Sequence, residues 1–457
     1  MTVQAAIAAL GGLLGDRVST ADSVRDLHGR DESAFPPAAP DAVAFPRDTG
    51  EVSAVLRACA EHGVPVIAFG TGSSVEGQIL AVQGGIALDT SLMDQILRVS
   101  IEDLDVTVQP GVTRTKLEQR VSQEGAFFSV DPGADASLGG MAATGASGTN
   151  TVRYGTMREN VLALEVVLAD GRVIRTGSRA RKSSAGYDLT HLFIGSEGTL
   201  GIITELTLRL RPIPEAISAA SCSFPTTQDA VGTAIAIVQS GVPIARCELL
   251  DATMMRAVNL HAELEHPESP TLFLEFHGTP AGVEEDARYV SELARERGAG
   301  DFAWATKTDD RSRLWRARHN AYFAGIGLRP GSRALTTDVC VPVSELAATI
   351  DATVADVADL PFPAPLLGHV ADGNFHLMLL IDPDEPEERR TAEAVYERIV
   401  DRALAVGGTC TGEHGVGLGK RRALASESGE AVEVMRALKR ALDPDDRLNP
   451  GKVLPQL

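Results

Sequence analysis

The 457-residue sequence is poor in basic residues, in aromatic residues and in long apolar runs. Lys and Arg number 42 against 62 Asp and Glu, and a chain with a formal net charge of −20 is a poor candidate for binding nucleic-acid phosphates. No apolar run reaches the roughly 18 residues that a membrane-spanning helix needs. We therefore expect no nucleic-acid partner and no transmembrane segment, whereas peripheral membrane contact and self-association stay open.

Cysteine is also scarce, and the five cysteines lie far apart without a Cys-x-x-Cys pair. An odd number of separated cysteines does not suit a disulfide framework, so reduced thiols are expected. The apolar N-terminal stretch predicts a helix over Val3–Leu14 that ends at Gly15, and it lacks the basic segment of a signal peptide because Arg17 follows it. These features predict a cytoplasmic protein, which could lie at the inner face of the membrane.

A glycine-rich loop follows an apolar segment that predicts a buried strand at residues 64–69. The loop does not match the dinucleotide-binding fingerprint, because Val75 stands where the third glycine would be. About a dozen residues separate Gly77 from Asp89, which is too few for the crossover helix of a βαβ unit. Residues 131–150 and 195–201 are also rich in small residues, and such segments allow close approach of a ligand to the backbone. Three segments of this kind suit a long, flat cofactor that carries phosphate.

Two histidines flank a predicted turn at Asp372-Gly373, a dipeptide typical of two-residue hairpins. A turn centred there pairs His369 with His376, and cross-strand partners have Cβ atoms about 4.5–5.5 Å apart, close enough to share a divalent metal. The glycine-dense loop at residues 407–417 carries Glu413 beside His414. Glu413 could complete a His₂-carboxylate metal site, and His414 would then face the other way as a general base.

Arg318 is a candidate for a different task, because an arginine can bind a carboxylate through two parallel hydrogen bonds. After residue 216, strands alternate with helical segments, which predicts an α+β domain with an antiparallel sheet. Pro212 and Pro214 indicate a boundary before that domain.

Seven short motifs succeed one another between residues 42 and 453. They are Phe69-Gly70-Thr71-Gly72-Ser73, residues 131–148, Tyr154-Gly155-Thr156, residues 195–201, residues 368–376, Gly412-Glu413-His414-Gly415 and Asn449-Pro450-Gly451-Lys452. In this order they resemble the FAD-dependent D-lactate dehydrogenases of the cytochrome type. These belong to the vanillyl-alcohol-oxidase-like flavoproteins with a p-cresol-methylhydroxylase-type FAD domain.

The resemblance implies an α+β fold in which a two-subdomain FAD domain precedes a substrate-capping domain with an antiparallel sheet. The expected limits are residues 1–40 for an N-terminal helix and linker, 41–215 for the FAD domain, 216–430 for the capping domain with the metal site, and 431–457 for a segment that returns to the flavin. The first glycine loop contains no histidine to which FAD could attach, so non-covalent FAD is expected.

The resemblance also implies a set of FAD-binding residues. Those expected at the pyrophosphate are Gly70, Thr71, Gly72, Ser73 and Ser74, those along the body of FAD are Pro132, Gly133, Ser137, Gly139, Gly140 and Thr144, those on the adenine side are Gly198 and Ile203, and Asn449 is expected near the isoalloxazine ring. A divalent metal, Zn or Mn, is expected on His369, His376 and Glu413.

The implied reaction is oxidation of a D-2-hydroxy acid, with D-lactate to pyruvate favoured. Arg318 would bind the carboxylate, the metal would lower the pKa of the 2-hydroxyl, His414 would take the proton, and a hydride would pass to the flavin. Thr336 and Thr337 put no basic residue where D-2-hydroxyglutarate dehydrogenases tend to have a lysine, although Arg333 lies near.

Several alternatives stay open at this point. D-2-hydroxyglutarate dehydrogenases and glycolate oxidase flavoprotein subunits resemble the chain too, and an FAD-dependent ether-lipid-type transferase or a flavin-bearing electron-transfer subunit is a more distant alternative. The electron acceptor could be cytochrome c, a quinone or another flavoprotein.

Overall fold

The computed structural model describes residues 2–263 and 265–455, which separate into two compact units. Unit 1 comprises the described residues of Met1–Ser147, Gly155–Ile213 and Glu413–Leu457. Unit 2 comprises those of Gly148–Tyr154 and Pro214–Gly412. Unit 1 thus takes in the chain from Glu413 onward, whereas the limits drawn from the sequence keep residues up to 430 in the second domain.

Both units contain helices and strands. The helices are α1 (Val3–Leu14), α2 (Asp22–Leu27), α3 (Thr49–His62), α4 (Arg114–Val121), α5 (Leu138–Thr144), α6 (Thr151–Tyr154), α7 (Met157–Asn160), α8 (Leu189–Phe193), α9 (Thr227–Gln239), α10 (Ala252–Ala262), α11 (Pro280–Arg295), α12 (Thr308–His319), α13 (Ala321–Gly327), α14 (Leu346–Val357), α15 (Pro386–Ala405), α16 (Arg421–Ser428) and α17 (Ala431–Leu442). The strands are β1 (Val18–Ser19), β2 (Ala42–Ala44), β3 (Val66–Phe69), β4 (Ile86–Asp89), β5 (Ile96–Ser100), β6 (Asp105–Val108), β7 (Ala126–Phe127), β8 (Val161–Val167), β9 (Val173–Arg175), β10 (Ile202–Arg209), β11 (Arg211–Pro212), β12 (Ala216–Ser223), β13 (Ile244–Leu250), β14 (Thr271–Gly278), β15 (Ala303–Ala305), β16 (Arg333–Thr336), β17 (Val339–Cys340), β18 (Leu366–Gly368) and β19 (Asn374–Ile381).

The helix predicted at the N-terminus is confirmed, and α1 has the predicted bounds. Thr2 caps its first turn, and Gly15 ends it with a φ of +63°, a conformation that glycine adopts without steric cost. No helix among the described residues is long and apolar enough to cross a bilayer.

The first sheet of unit 1 has the strand order β1-β2-β4-β3, and β4 runs parallel to both β2 and β3. The connection from β3 to β4 contains no helix, as the short spacing predicted. It is instead an extended glycine-rich loop. The small sheet therefore presents this loop directly after the carboxyl end of β3.

The second sheet of unit 1 has the order β5-β6-β10-β8-β9, with antiparallel neighbours throughout. Val106 and Leu206 of this sheet are fully buried in a core that also contains Leu138, Met141 and Ala142 of α5. Packing against this core fixes α5, and α5 carries much of the small-residue segment.

Unit 2 is built on one antiparallel sheet with the order β15-β12-β14-β13-β18-β19-β16, and β17 also pairs with β19. Its core joins apolar side chains of the sheet to those of α10, α12 and α13, including Met254, Phe273, Trp315 and Met378. The predicted α+β architecture with an antiparallel sheet is confirmed. One pair of adjacent strands, β13 and β18, comes from positions more than a hundred residues apart.

Candidate active site

The glycine loop after β3 and the small-residue segment meet within unit 1. A Cβ atom on Gly70 would lie 2.4 Å from Ser137 Oγ, and a Cβ atom on Gly140 would lie 3.0 Å from the same oxygen. The Ser137 hydroxyl is buried and has no hydrogen-bond partner within the part of the chain that the structure describes. A bare backbone beside an unpartnered buried hydroxyl fits a ligand that supplies hydrogen-bonding groups.

Asn449 connects two further segments of unit 1. Its side-chain amide donates to the carbonyl oxygens of Gln78 (3.0 Å) and Glu197 (2.7 Å). Asn449 is buried and has a φ of +43°, a conformation that asparagine tolerates better than most residues. The adjacent Gly198 lies against β3, where a Cβ atom would be 3.3 Å from that of Ala68. The C-terminal segment is thereby held close to the glycine loop.

The other residues predicted to bind the cofactor make different kinds of contacts. Thr71 and Ser73 contact each other through their hydroxyls (3.1 Å), and Thr144 Oγ1 donates to the Gly140 carbonyl (3.1 Å). Ser74 Oγ donates to Asp31 (3.2 Å). Gly72 has a φ of +74° in the first loop, and Gly139 packs against Pro110. Ile203 is buried in β10. A Cβ atom on Gly133, which follows Pro132, would touch nothing within 4 Å.

The two predicted metal histidines lie together in unit 2, but the predicted hairpin register is wrong. β18 and β19 pair Leu367 with His376, so residues 369–373 form a five-residue connection rather than a two-residue turn. The His369 carbonyl accepts the N–H groups of Asp372 (2.9 Å) and Asn374 (3.3 Å), which places His369 at the start of the turn. The imidazole rings still meet edge to face, with centroids 5.6 Å apart.

A buried carboxylate joins two of the predicted site residues. Glu248 Oε1 lies 2.7 Å from His369 Nδ1, and Arg318 Nη2 donates to Glu248 Oε2 at 2.6 Å. Burial alone would raise the pKa of Glu248, but the charges and hydrogen bonds of His369 and Arg318 outweigh it and hold the pKa below its ordinary value. Arg318 is buried too, and its Nε has no hydrogen-bond partner among residues 2–263 and 265–455.

Asp338 supports the second histidine. Its carboxylate lies 3.6 Å from His376 Nδ1 and accepts hydrogen bonds from the Asn374 amide (3.1 Å) and the Thr411 hydroxyl (2.7 Å). The backbone N–H of Gly412 donates to the Asp338 carbonyl (2.8 Å), and Gly412 is the last residue of unit 2. Asp338 therefore lies on the Nδ1 side of the His376 ring and leaves Nε2 as the nitrogen that could bind a divalent metal.

Glu413 and His414 begin the C-terminal part of unit 1. Ser147 Oγ donates to Glu413 Oε2 (2.6 Å), and Gln78 Nε2 donates to the backbone carbonyl of His414 (2.7 Å). Farther along the loop, the N–H groups of Val416 and Gly417 donate to the buried carboxylate of Glu197 (2.6 and 2.9 Å). Burial raises the pKa of Glu197 to about 7, although these two hydrogen bonds lower it.

Sequence reasoning missed four residues that hold the candidate site together: Gln78, Glu197, Glu248 and Asp338. Glu197 lies within a recognised motif, but its neighbours gave no sign that its side chain binds a loop more than two hundred residues away. Glu248 lies in an apolar strand segment with no motif around it. An acidic residue inside a buried strand is itself a signal, because a buried charge requires partners.

Two family models match the chain. The model described as "FAD linked oxidases, C-terminal domain" matches residues 213–453, and the model described as "FAD binding domain" matches residues 40–177. A solved structure of p-cresol methylhydroxylase with substrate bound has a TM-score of 0.78 at 20% identity and covers 98% of this chain and 96% of that one. The predicted p-cresol-methylhydroxylase-type fold is confirmed.

Curated relatives match over nearly the whole chain. A "Probable D-lactate dehydrogenase, mitochondrial" of Danio rerio is 52% identical over 99% of this chain and 92% of its own. A "D-lactate dehydrogenase [cytochrome], mitochondrial" of Arabidopsis thaliana is 45% identical over 98% of this chain and 80% of its own. Both names state a mitochondrial location for these relatives, so the expectation of a cytoplasmic location is wrong. Reduced cysteines indicate a reducing environment and do not identify which compartment supplies it.

Proposed function

The chain belongs to the FAD-linked oxidases, in the branch of the cytochrome-type D-lactate dehydrogenases, and we propose that it oxidises D-lactate to pyruvate with non-covalently bound FAD. The observation that carries the substrate class is the buried Arg318 guanidinium in unit 2, one N–H of which has no partner among the described residues. A buried, partly unpartnered arginine that shares the carboxylate of Glu248 with His369 suits a small acid that bears a hydroxyl beside its carboxylate.

Arg318 binds the substrate carboxylate in this proposal. One of its terminal nitrogens is held by Glu248, which fixes the plane of the guanidinium while Nε remains without a protein partner. An arginine with a fixed plane binds a planar carboxylate through directed, charge-assisted hydrogen bonds. Binding of the substrate carboxylate by Arg318 thereby fixes the orientation of the substrate's 2-hydroxyl and of the hydrogen on its Cα.

In this proposal, His369, His376 and Glu413 would hold a divalent metal, Zn or Mn. The Nδ1 atoms of the two histidines face Glu248 and the Thr337 carbonyl (3.1 Å), so each ring would ligate through Nε2. Glu413 follows Gly412 directly in the chain, and Gly412 is bound to Asp338. A bound metal of this type lowers the pKa of a coordinated hydroxyl.

FAD would be held by Gly70–Ser74, by the segment around Ser137 and Gly140, by Gly198 and by Asn449. Bound there, it would supply the hydride acceptor for the oxidation. His414 takes the proton of the 2-hydroxyl, so the substrate loses one proton and one hydride and becomes a 2-oxo acid. We further propose a cytochrome as the electron acceptor, as the name of the Arabidopsis relative states for that protein.

The residues at and after β16 favour a monocarboxylate over a dicarboxylate. Thr337 is buried, and its hydroxyl accepts the backbone N–H of Leu377 (2.9 Å), so this position provides no cation for a second carboxylate. Arg333, the nearby basic residue, is exposed at the start of β16. D-lactate therefore suits unit 2 better than D-2-hydroxyglutarate.

The test is anaerobic reduction of the flavin in the purified protein by D-lactate, L-lactate, glycolate and D-2-hydroxyglutarate in parallel. The proposal predicts the highest kcat/KM for flavin reduction with D-lactate. Faster reduction by D-2-hydroxyglutarate or glycolate would contradict the proposed substrate and leave the cofactor assignment intact.

A further inference from the structure

We propose that Glu248 is a positioning residue that fixes the substrate-binding arginine and one metal-binding histidine together. The inference rests on the proposed function, since it gives Glu248 a role through Arg318 and His369. In this inference, the buried carboxylate of Glu248 fixes the orientation of both side chains.

Strand pairing places Glu248 where it can do this. β13 and β18 are antiparallel, with Leu249 opposite Gly368, and the same register continued by one residue sets Glu248 opposite His369. The side chain of Glu248 is 1% exposed, and its two oxygens contact different partners. One oxygen faces His369 and the other faces Arg318, at 2.7 and 2.6 Å.

The Glu248 carboxylate makes two interactions that no neutral side chain of its size can make together. It accepts the Nδ1 proton of His369, which leaves Nε2 as the metal ligand and fixes the ring plane. It also neutralises the buried guanidinium and fixes its orientation through Nη2. A glutamine offers only one oxygen, so its NH₂ group would face a donor of either His369 or Arg318.

A second buried glutamate provides a matched control. Glu275 lies on the neighbouring strand β14 and accepts a hydrogen bond from Trp315, lies 2.9 Å from His277 Nε2 and pairs with Arg246 (3.6 Å). It is comparably buried, and its pKa is also held below the ordinary value by its partners despite burial. None of these three partners is a predicted site residue.

The experiment compares Glu248→Gln and Glu275→Gln with the wild-type holoenzyme. Zn²⁺ affinity is measured by competition with a chelator, FAD content by absorbance, and KM and kcat by flavin reduction with D-lactate. We expect Glu248→Gln to weaken Zn²⁺ binding by about 10- to 100-fold, as loss of a carboxylate behind a metal-bound histidine does elsewhere. We also expect its KM for D-lactate to rise by at least about tenfold, since a misplaced guanidinium loses a charge-assisted hydrogen bond to the substrate. FAD content should be unchanged, and Glu275→Gln should keep wild-type Zn²⁺ affinity.

Wild-type Zn²⁺ affinity and wild-type KM in Glu248→Gln would overturn the inference alone, provided that the wild type binds Zn²⁺ and is reduced by D-lactate. A change in only one of the two properties would overturn the claim that Glu248 positions both groups. A wild type that binds no Zn²⁺ and is not reduced would overturn the proposed function and this inference together. If Glu248→Gln does not fold, Glu248→Asp serves instead, because it keeps the charge but is one methylene too short to reach both partners.

Discussion

Arg318→Lys tests the proposed substrate contact most sharply, because the substitution keeps the positive charge and removes the planar fork. In the wild type, Arg318 Nη2 is bound to Glu248 while its Nε has no partner among the described residues. One arginine can therefore keep the contact with Glu248 and still donate to a substrate carboxylate. A lysine has a single nitrogen and cannot satisfy both in the same directed geometry.

The expected size of the effect follows from the number of hydrogen bonds lost. A hydrogen bond between charged groups contributes about 1.5–3 kcal/mol. Loss of one such bond to the substrate lowers kcat/KM for D-lactate by about 10- to 150-fold, since about 1.4 kcal/mol corresponds to a factor of ten. FAD content is expected to stay at the wild-type level, because the residues proposed to hold FAD lie in unit 1.

The assay is stopped-flow reduction of the flavin by D-lactate in the absence of oxygen. Arg316→Lys is the matched control, since Arg316 lies on the same helix, α12, and is exposed. It should keep wild-type kcat/KM. If Arg318→Lys also kept wild-type kcat/KM, the assignment of Arg318 to the substrate carboxylate would be refuted.

Three further predictions concern the proton, the metal and pH. His414→Ala should keep yellow, FAD-loaded protein while flavin reduction by D-lactate slows by about 10²- to 10⁴-fold, the usual contribution of a general base, and a wild-type rate would contradict its role. His376→Ala should lose bound metal and activity but retain FAD, as metal analysis and absorbance would show; full metal occupancy would remove His376 from the ligand set. Asp251→Asn should stabilise the protein at neutral pH but not near pH 4, because burial raises the pKa of Asp251 to about 7. The wild type loses stability as pH rises from about 4 to 7, because the buried carboxylate must ionise. Asparagine caps α10 equally well and does not titrate. Calorimetry should therefore show a free energy of unfolding that exceeds the wild-type value by at most about 4 kcal/mol at pH 8 and equals it near pH 4.

Local signals in the sequence predicted the elements that local chemistry controls. The helix Val3–Leu14 ends at Gly15 because glycine adopts the positive φ found there. The strand before Gly70 and the helix-free connection after it were also predictable, since a dozen residues cannot form a crossover helix. The clusters of small residues marked the segments that meet at Ser137.

Long-range packing decided the features that the sequence did not show. The Asp372-Gly373 turn is part of a five-residue connection because Val341 packs against it: Val341 N–H donates to the Gly373 carbonyl (3.0 Å), and a Cβ atom on Gly373 would lie 2.1 Å from the Val341 carbonyl oxygen. Glu248 meets His369 only because β13 pairs with β18. No local pattern encodes a pairing between strands so far apart in the chain.

One anaerobic absorbance titration tests the claim that this chain is an FAD enzyme reduced by D-lactate. We predict that the purified protein is yellow and that D-lactate bleaches the flavin band, while L-lactate leaves it unchanged over the same time. A yellow, metal-loaded protein that D-lactate does not bleach would contradict the claim.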